Sequence, residues 1–516
     1  MTQTITNVFV VMLENHSFDN IFAMSGIPGI RAATTADSNT YDGKTYRVKD
    51  GAPPAMTTDP GHEFEDVIEQ LCGKDAACKY LNGKGGAYPA IDRSGFAHNY
   101  ATSTSEDTGR PAAGHIGDIM ACFHTPTQLP VIHQLATEFA ICDAWHSSLP
   151  GPTWPNRFFV HGASSAGMTV SPGLWNEVEW ESFDGFKYAN GSIYDRLNAT
   201  GHKWRLYIDC DNAFSDDPSG PEYGGWISQA ASLKNIHLWD VHRLAKFQAD
   251  VNAPAYRDVR YTFIEPNFGK SFFAKQGAAP GPTYKGGSAQ HPEDDPSGGE
   301  GLLKFVYETI RNAPLWDTSL LIITYDEHGG FYDHVVPCAA PAPGGKDPDN
   351  GKDLNPYNFD FQTYGVRVPA VIVSPFVPKG TVDHTRYDHA SALATVERIL
   401  GIGPLTARDA DANDVRHLLS LPAPRTDCPA TLVAPLKYPP VPSPAENSDA
   451  PLPSCGNAIG FLQVLLKAEL ALADDAAARA AIAAAFLSLK THADARGYVA
   501  RLYAMIEEKR AALSSR

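Results

Sequence analysis

NVFVVMLENHSFDN, residues 7–20, opens as a run of β-branched and long apolar side chains and then breaks abruptly into carboxylate, amide and imidazole groups. The apolar run shows no polar alternation, so it reads as a strand buried on both faces, Asn7–Leu13, ending in Glu14-Asn15-His16-Ser17-Phe18-Asp19. The pattern recurs at Ser319–Tyr325, which runs out into Asp326-Glu327-His328-Gly329-Gly330-Phe331-Tyr332-Asp333-His334. Phe139–Cys142, Trp204–Ile208, Tyr261–Ile264 and Pro369–Ser374 read as further short strands. Helical periodicity at Phe64–Leu71, Gly301–Arg311 and Ala390–Leu400 separates or follows them. That alternation predicts an α/β architecture with parallel strands joined by crossovers.

The rest of the 516-residue chain is consistent with one large core and an appendage. Hydrophobic residues make up 43% and charged residues 20%, which excludes global disorder. The 43 glycines and 40 prolines exceed the usual share and predict shaped loops on a rigid scaffold. A net charge of −17 repels polyanions, so no nucleic-acid partner is expected. Eight cysteines without a C-x-x-C pair argue against a disulfide scaffold or a structural zinc site, although export would make Cys72 and Cys78 candidates for pairing. The amino terminus has no basic segment, signal core or cleavage site, so the expectation is a cytoplasmic chain unless a leader was removed or export takes another route. No apolar run is long enough for a transmembrane helix.

Ten of the 32 residues from Pro422 to Pro453 are proline, a density that favours an extended segment wrapping the surface or linking two units. The expected division is a catalytic unit at 1–421, a Pro-rich linker at 422–455 and an Ala- and Leu-rich helical segment at 456–516. Two or three helices are expected there, acting mainly as a stabilising appendage.

In open α/β sheets ligands bind beyond the carboxyl ends of the strands, so the clusters after Leu13 and Tyr325 are expected to converge although roughly 310 residues separate them. Glu14, Asn15, Asp326 and Glu327 would supply hard oxygen ligands for one divalent metal ion. Calcium is favoured over magnesium and manganese, and the nearby histidines keep zinc open. Either cluster alone is as readily a helix cap or turn. The pair, the second with a Gly-Gly turn for close backbone approach, carries the reading.

A third segment, Ser148-Leu149-Pro150-Gly151-Pro152-Thr153-Trp154-Pro155-Asn156-Arg157, stiffens the chain around one hydroxyl. Metal coordination activates a hydroxyl without a neighbouring base, although a Pro-flanked threonine is ordinarily a turn residue. His62, in Asp59-Pro60-Gly61-His62, and His291, in His291-Pro292-Glu293, sit in loops and suit acid–base work near neutral pH, against the alternative of surface histidines.

With those residues assembled, the chain resembles the phosphoesterase family of bacterial phosphatidylcholine-type phospholipases C, plant non-specific phospholipases C and related acid phosphatases. The likeness rests on VFVVMLENHSFDN at 8–20, DPGHEF at 59–64, SLPGPTWPNR at 148–157, IEPN at 264–267 and HPEDD at 291–295. TYDEHGGFYDHVVP at 324–337, RYDHASALATVERILG at 386–401 and LTARDA at 405–410 complete it. The resemblance implies an alkaline-phosphatase-like three-layer α/β/α sandwich and phosphoester hydrolysis through one metal and a hydroxyl nucleophile. It assigns Glu14, Asn15, Asp326 and Glu327, with Thr153, to the metal. Thr153 matches the nucleophile, and His62 and His291, with Asn15, match groups that bind the phosphoryl or protonate the leaving alcohol. Threonine rather than serine there tilts the reading to phospholipase C, with an acid phosphatase acting on soluble monoesters as the alternative. The chain departs from the family pattern in its abrupt start and in a tail unlike the bacterial β-domains.

The implied substrate is a phospholipid or small phosphoester, with transient membrane-surface contact. Seven of the eight tryptophans lie between Trp145 and Trp239, and such faces can hold a quaternary ammonium, although core packing is the commoner use. A binding protein that had lost catalysis predicts damaged ligand positions, whereas all five are intact. A sulfatase would want a Cys/Ser-x-Pro-x-Arg motif, and none stands at the nucleophile segment.

Overall fold

A computed structural model describes residues 5–105, 109–173, 183–210, 225–269, 286–346, 348, 350–351, 353–438 and 449–514. Eight strands form the main sheet: β1 Asn7–Leu13, β2 Ala140–Cys142, β3 Lys203–Ile208, β4 Val241–Arg243, β5 Val259–Glu265, β6 Ser319–Tyr325, β7 Ala370–Val373 and β8 Thr381–Asp383. Their spatial order is β8-β2-β7-β6-β1-β5-β3-β4. Every residue of β1 and β6 is buried, as two-sided coverage requires.

The helices used below are α1 Phe64–Cys72, α2 Pro130–Glu138, α3 Thr153–Gly162, α4 Ile193–Ala199, α5 Ser297–Arg311, α6 Ala390–Leu400, α7 Asn457–Ala471, α8 Ala476–Leu487 and α9 His492–Ser514. Helices α2 and α5 pack together, and α3 packs with α4 and α6. The expected α/β class, mostly parallel sheet and helical carboxyl-terminal region are all present. Among the described residues, the one antiparallel strand of this mostly parallel sheet is β7, which runs opposite to both β6 and β2. The edge strands β4 and β8 carry three residues each, too few for a periodic pattern to register.

Strands β1 and β6 pair in parallel with Leu13 opposite Tyr325, so Glu14 and Asp326 leave the sheet side by side. On the other flank of β1, Val11 lies opposite Ile264 of β5, and the Ala289 carbonyl accepts from Glu14 N–H at 2.8 Å.

The described part of the Pro-rich segment is strapped along α5. Carbonyls of Cys428, Pro429 and Ala430 accept from Arg311, Tyr307 and Asn312. Residues 439–448 of the segment lie outside the described residues. The tail forms three helices, of which α7 is almost wholly buried, and its Ile459, Phe461 and Leu462 belong to the same apolar cluster as β1 and β6. Cys72 is buried, Cys78 is exposed, and both are free thiols. No described helix is long and apolar enough to cross a membrane.

Candidate active site

Thr153 is the first residue of α3, and Pro152, fixed in an extended conformation, caps it. The opening turn of a helix presents backbone N–H groups without intrahelical partners, a favourable setting for a phosphate. Thr153 is buried, and its Oγ1 donates to Asn15 Oδ1 at 3.1 Å. Asn15 itself sits at φ 59°, a left-handed conformation that asparagine tolerates better than most residues. Its backbone N–H donates to Asp326 Oδ1 at 3.2 Å, which ties the ends of β1 and β6 together. The Gly-Gly turn meets its expected purpose: a Cβ on Gly329, at φ 61°, would lie 2.1 Å from the Asn15 carbonyl oxygen.

Asp326 Oδ1 also accepts from Glu327 N–H at 2.7 Å, while its Oδ2 accepts from Arg157 Nε at 2.9 Å. Arg157 follows Thr153 by four residues on α3 and anchors that helix to the Met12 and Leu13 carbonyls, both at 3.1 Å. The i, i+4 spacing was a readable signal for it, since such residues share a helix face. His389 Nε2 approaches the Asp326 carbonyl at 2.6 Å, and burial pushes this imidazole down to about 4.

Glu14, Asn15, Asp326 and Glu327 are all fully buried. Burial, then repulsion from Asp326, pushes the Glu14 carboxyl up to about 8, and burial raises Asp326 to about 6. Arg157 opposes both shifts without cancelling them. Glu14 Oε2, Glu327 Oε1 and Asn15 Nδ2 have no hydrogen-bond partner among the described residues. Buried anionic oxygens left unsatisfied are costly, and a divalent cation removes that cost. The donors are carboxylate, amide and hydroxyl oxygens, so the residues present fit a hard cation.

Among the described residues, two groups draw three ligand atoms within 4.8 Å of one another: Asp59–His62–His291 and Asp19–Asp333–His334. Glu14, Asp326 and Glu327 form no such triplet; Asp326 accepts from the Asn15 and Glu327 N–H groups instead. His62 Nδ1 donates to the Pro60 carbonyl at 2.8 Å, which makes Nε2 its basic nitrogen. His291 Nδ1 lies 3.5 Å from Glu293 N–H, which assigns its proton to Nε2, where Asp59 Oδ2 is 3.5 Å away. The two imidazole centroids are 6.1 Å apart, and Glu14 interacts electrostatically with His62. Asp59, three residues before His62, is the member that the sequence reading left out.

The last two sequence motifs brace the loop that leads into Thr153. Arg408 donates to the Ser148 carbonyl at 3.1 Å and to Asp388 at 3.0 Å, and Ser148 Oγ donates to the same Asp388 at 2.9 Å. Trp145, Trp154 and Trp226 are buried, and Trp204 and Trp239 are half-buried, which matches the packing reading for most of them. Trp175 and Trp180 lie outside the described residues. Beside Trp154 is a cavity of about 760 Å³, walled by Phe158, Met168, Phe186 and Leu354 and, from α7, by Gly460 and Val464.

Comparison with known proteins matches residues 5–403 to the model of the phosphoesterase family. Non-specific phospholipase C6 of Arabidopsis thaliana is 33% identical over 450 residues, covering 84% of this chain and 76% of that protein. A non-hemolytic phospholipase C of Pseudomonas aeruginosa is 27% identical over 286 residues, covering 52% of this chain and 38% of that one. Among solved structures, a protein in the alkaline phosphatase superfamily from Vibrio parahaemolyticus aligns at 14% identity with a TM-score of 0.30, covering 68% of this chain and 82% of that one.

Proposed function

The chain belongs to the phosphoesterase family and is a hydrolase of phosphoric esters, and on that premise we propose that it is a metal-dependent phospholipase C cleaving phosphatidylcholine-like phosphodiesters through Thr153. The observation that carries this reading is the meeting of Thr153 Oγ1 with Asn15 beside buried Glu14 and Glu327, each of which has one carboxylate oxygen with no partner among the described residues. Glu14, Asn15, Asp326 and Glu327, with Thr153, would hold one divalent ion, calcium by preference. Such an ion lowers the pKa of a bound hydroxyl and draws negative charge from a phosphate oxygen.

Thr153 Oγ1 attacks phosphorus in line, forming an O–P bond as the P–O bond to the glyceride breaks. His62, with its basic Nε2, takes the hydroxyl proton and as an imidazolium passes it to the departing alcohol, while the Nε2–H of neutral His291 donates a hydrogen bond to the phosphoryl group. Water then attacks the phosphothreonine, releasing the phosphorylated head group and restoring the hydroxyl. The N–H groups opening α3 offset charge on the equatorial oxygens. The cavity beside Trp154, apolar along Phe158, Met168, Phe186 and Leu354, suits the glyceride portion of a lipid better than a small monoester.

The test compares phosphocholine release from phosphatidylcholine vesicles with phosphate release from p-nitrophenyl phosphate. Chelated enzyme is assayed after add-back of calcium, magnesium, manganese or zinc separately. The diester is expected to be favoured in kcat/KM by at least about tenfold. A reversed preference replaces the phospholipase reading with the acid phosphatase one, and full activity without metal removes the cation from it.

A further inference from the structure

Asn457, the first residue of α7, reaches the site from the far end of the chain. Its Nδ2 donates to Glu14 Oε1 at 3.1 Å, and its Oδ1 accepts from Trp154 Nε1 at 2.7 Å. An indole N–H only donates, so it fixes which end of the amide faces it. The amide nitrogen is thereby turned to the Glu14 carboxylate, and Glu14 Oε2 is left for another partner. Asparagine suits this place because one short side chain carries both a donor and an acceptor.

The register of α7 holds the contact. Asn457, Gly460 and Phe461 follow the i, i+3, i+4 spacing and share one face. A Cβ at Gly460 would lie 2.1 Å from the Trp154 ring, and the Phe461 ring centroid is 5.9 Å from that of Trp154. Trp154 in turn directly follows Thr153 on α3.

We propose that Asn457 is a positioning residue of the active site, which sets the Glu14 carboxylate for cation binding and couples it through Trp154 to the helix bearing Thr153. The carboxyl-terminal helical segment is therefore part of the site as well as of the core. This rests on the metal reading above.

The test titrates calcium, magnesium, manganese and zinc separately into the chelator-stripped full chain by calorimetry. Outer-shell partners of metal ligands generally contribute about 10–100-fold in affinity. Asn457→Ala is expected to weaken the best-bound ion by about that factor, while the melting midpoint without metal falls by no more than a few degrees. Trp154→Phe keeps an aromatic ring but removes the indole N–H that holds the amide, so a smaller loss of the same sign is expected. The double variant should bind within about twofold of Asn457→Ala, because both act through one chain of contacts.

Unchanged ion affinity in a folded Asn457→Ala protein, or additive losses in the double variant, overturns the proposal. Should Asn457→Ala fail to fold, Trp154→Phe decides alone, and wild-type affinity in it overturns the proposal too. A wild type that binds none of the four ions overturns the metal reading, and this proposal with it.

Discussion

Two carboxylate clusters lie beyond the carboxyl ends of the central strands, and they differ in how completely they are paired. In one, Arg367 donates to Asp19 at 3.1 Å and to Asp333 at 2.9 and 3.1 Å, and also to the Asp143 and Arg31 carbonyls. Asp19 further accepts from His334 and from Ala33 N–H, and Asp333 from Val335 N–H. In the other, Arg157 pairs with Asp326, and one oxygen each of Glu14 and Glu327 finds no partner among the described residues. Both clusters are fully buried in their acidic members and acid-rich in sequence. A saturated set holds a fold together, whereas an undersaturated one has capacity left for a ligand.

The largest expected effect tests the reactive side of this contrast. Thr153→Val keeps the shape of the side chain and removes the hydroxyl, so kcat on phosphatidylcholine should fall by about 10⁴-fold or more, as loss of a covalent nucleophile does elsewhere. Circular dichroism and the melting midpoint should stay near wild type. Near-normal turnover in that variant would rule out the nucleophile.

Next come paired substitutions, one in each cluster. Arg367→Met strands two buried carboxylates, and breaking such a pair costs about 3–5 kcal/mol, so this variant should melt far lower or fail to fold. Glu327→Gln removes one charge from the undersaturated cluster. It should leave the metal-free protein at least as stable as wild type while weakening cation binding by about 10²-fold. If chemical denaturation ranked the two variants the other way, the division between the clusters would not stand.

How much of this was legible depends on how local each signal is. The strands β1 and β6 announce themselves because burial on both faces demands unbroken apolar runs, and each runs directly into two of the proposed metal ligands. Arg157 was readable from its spacing to Thr153. The direction of β7 was not, since a four-residue strand has the same composition either way. The pairing of Asp19 and Asp333 with Arg367 depends on which strand neighbours which. Asn457 had no local signature at all, because an asparagine opening an Ala-rich helix looks like any other until the fold sets it against Glu14.

The clusters also separate by pH. In the absence of metal the Glu14 carboxyl is held up to about 8 and Asp326 up to about 6, with burial the leading cause in both. A cation must displace those protons, so its affinity should rise by about tenfold per pH unit for each proton released as pH climbs from about 5, and level off above about 8. Because both values lie above those of the unfolded chain, the stability they contribute is complete below pH 4 and is lost as pH rises through about 6 and then about 8. The metal-free protein should therefore melt lower at pH 8 than at pH 5, and saturating metal should flatten that slope by pairing the ionised carboxylates. Asp19 differs in sign: Arg367 and His334 hold its carboxyl below the ordinary range despite burial, so its stabilisation persists across the same window. Calorimetric affinities and melting curves taken each pH unit from 5 to 8 check both slopes. An affinity independent of pH would mean that the undersaturated carboxylates are not the ligands, and the distinction between the two clusters would have to be drawn elsewhere.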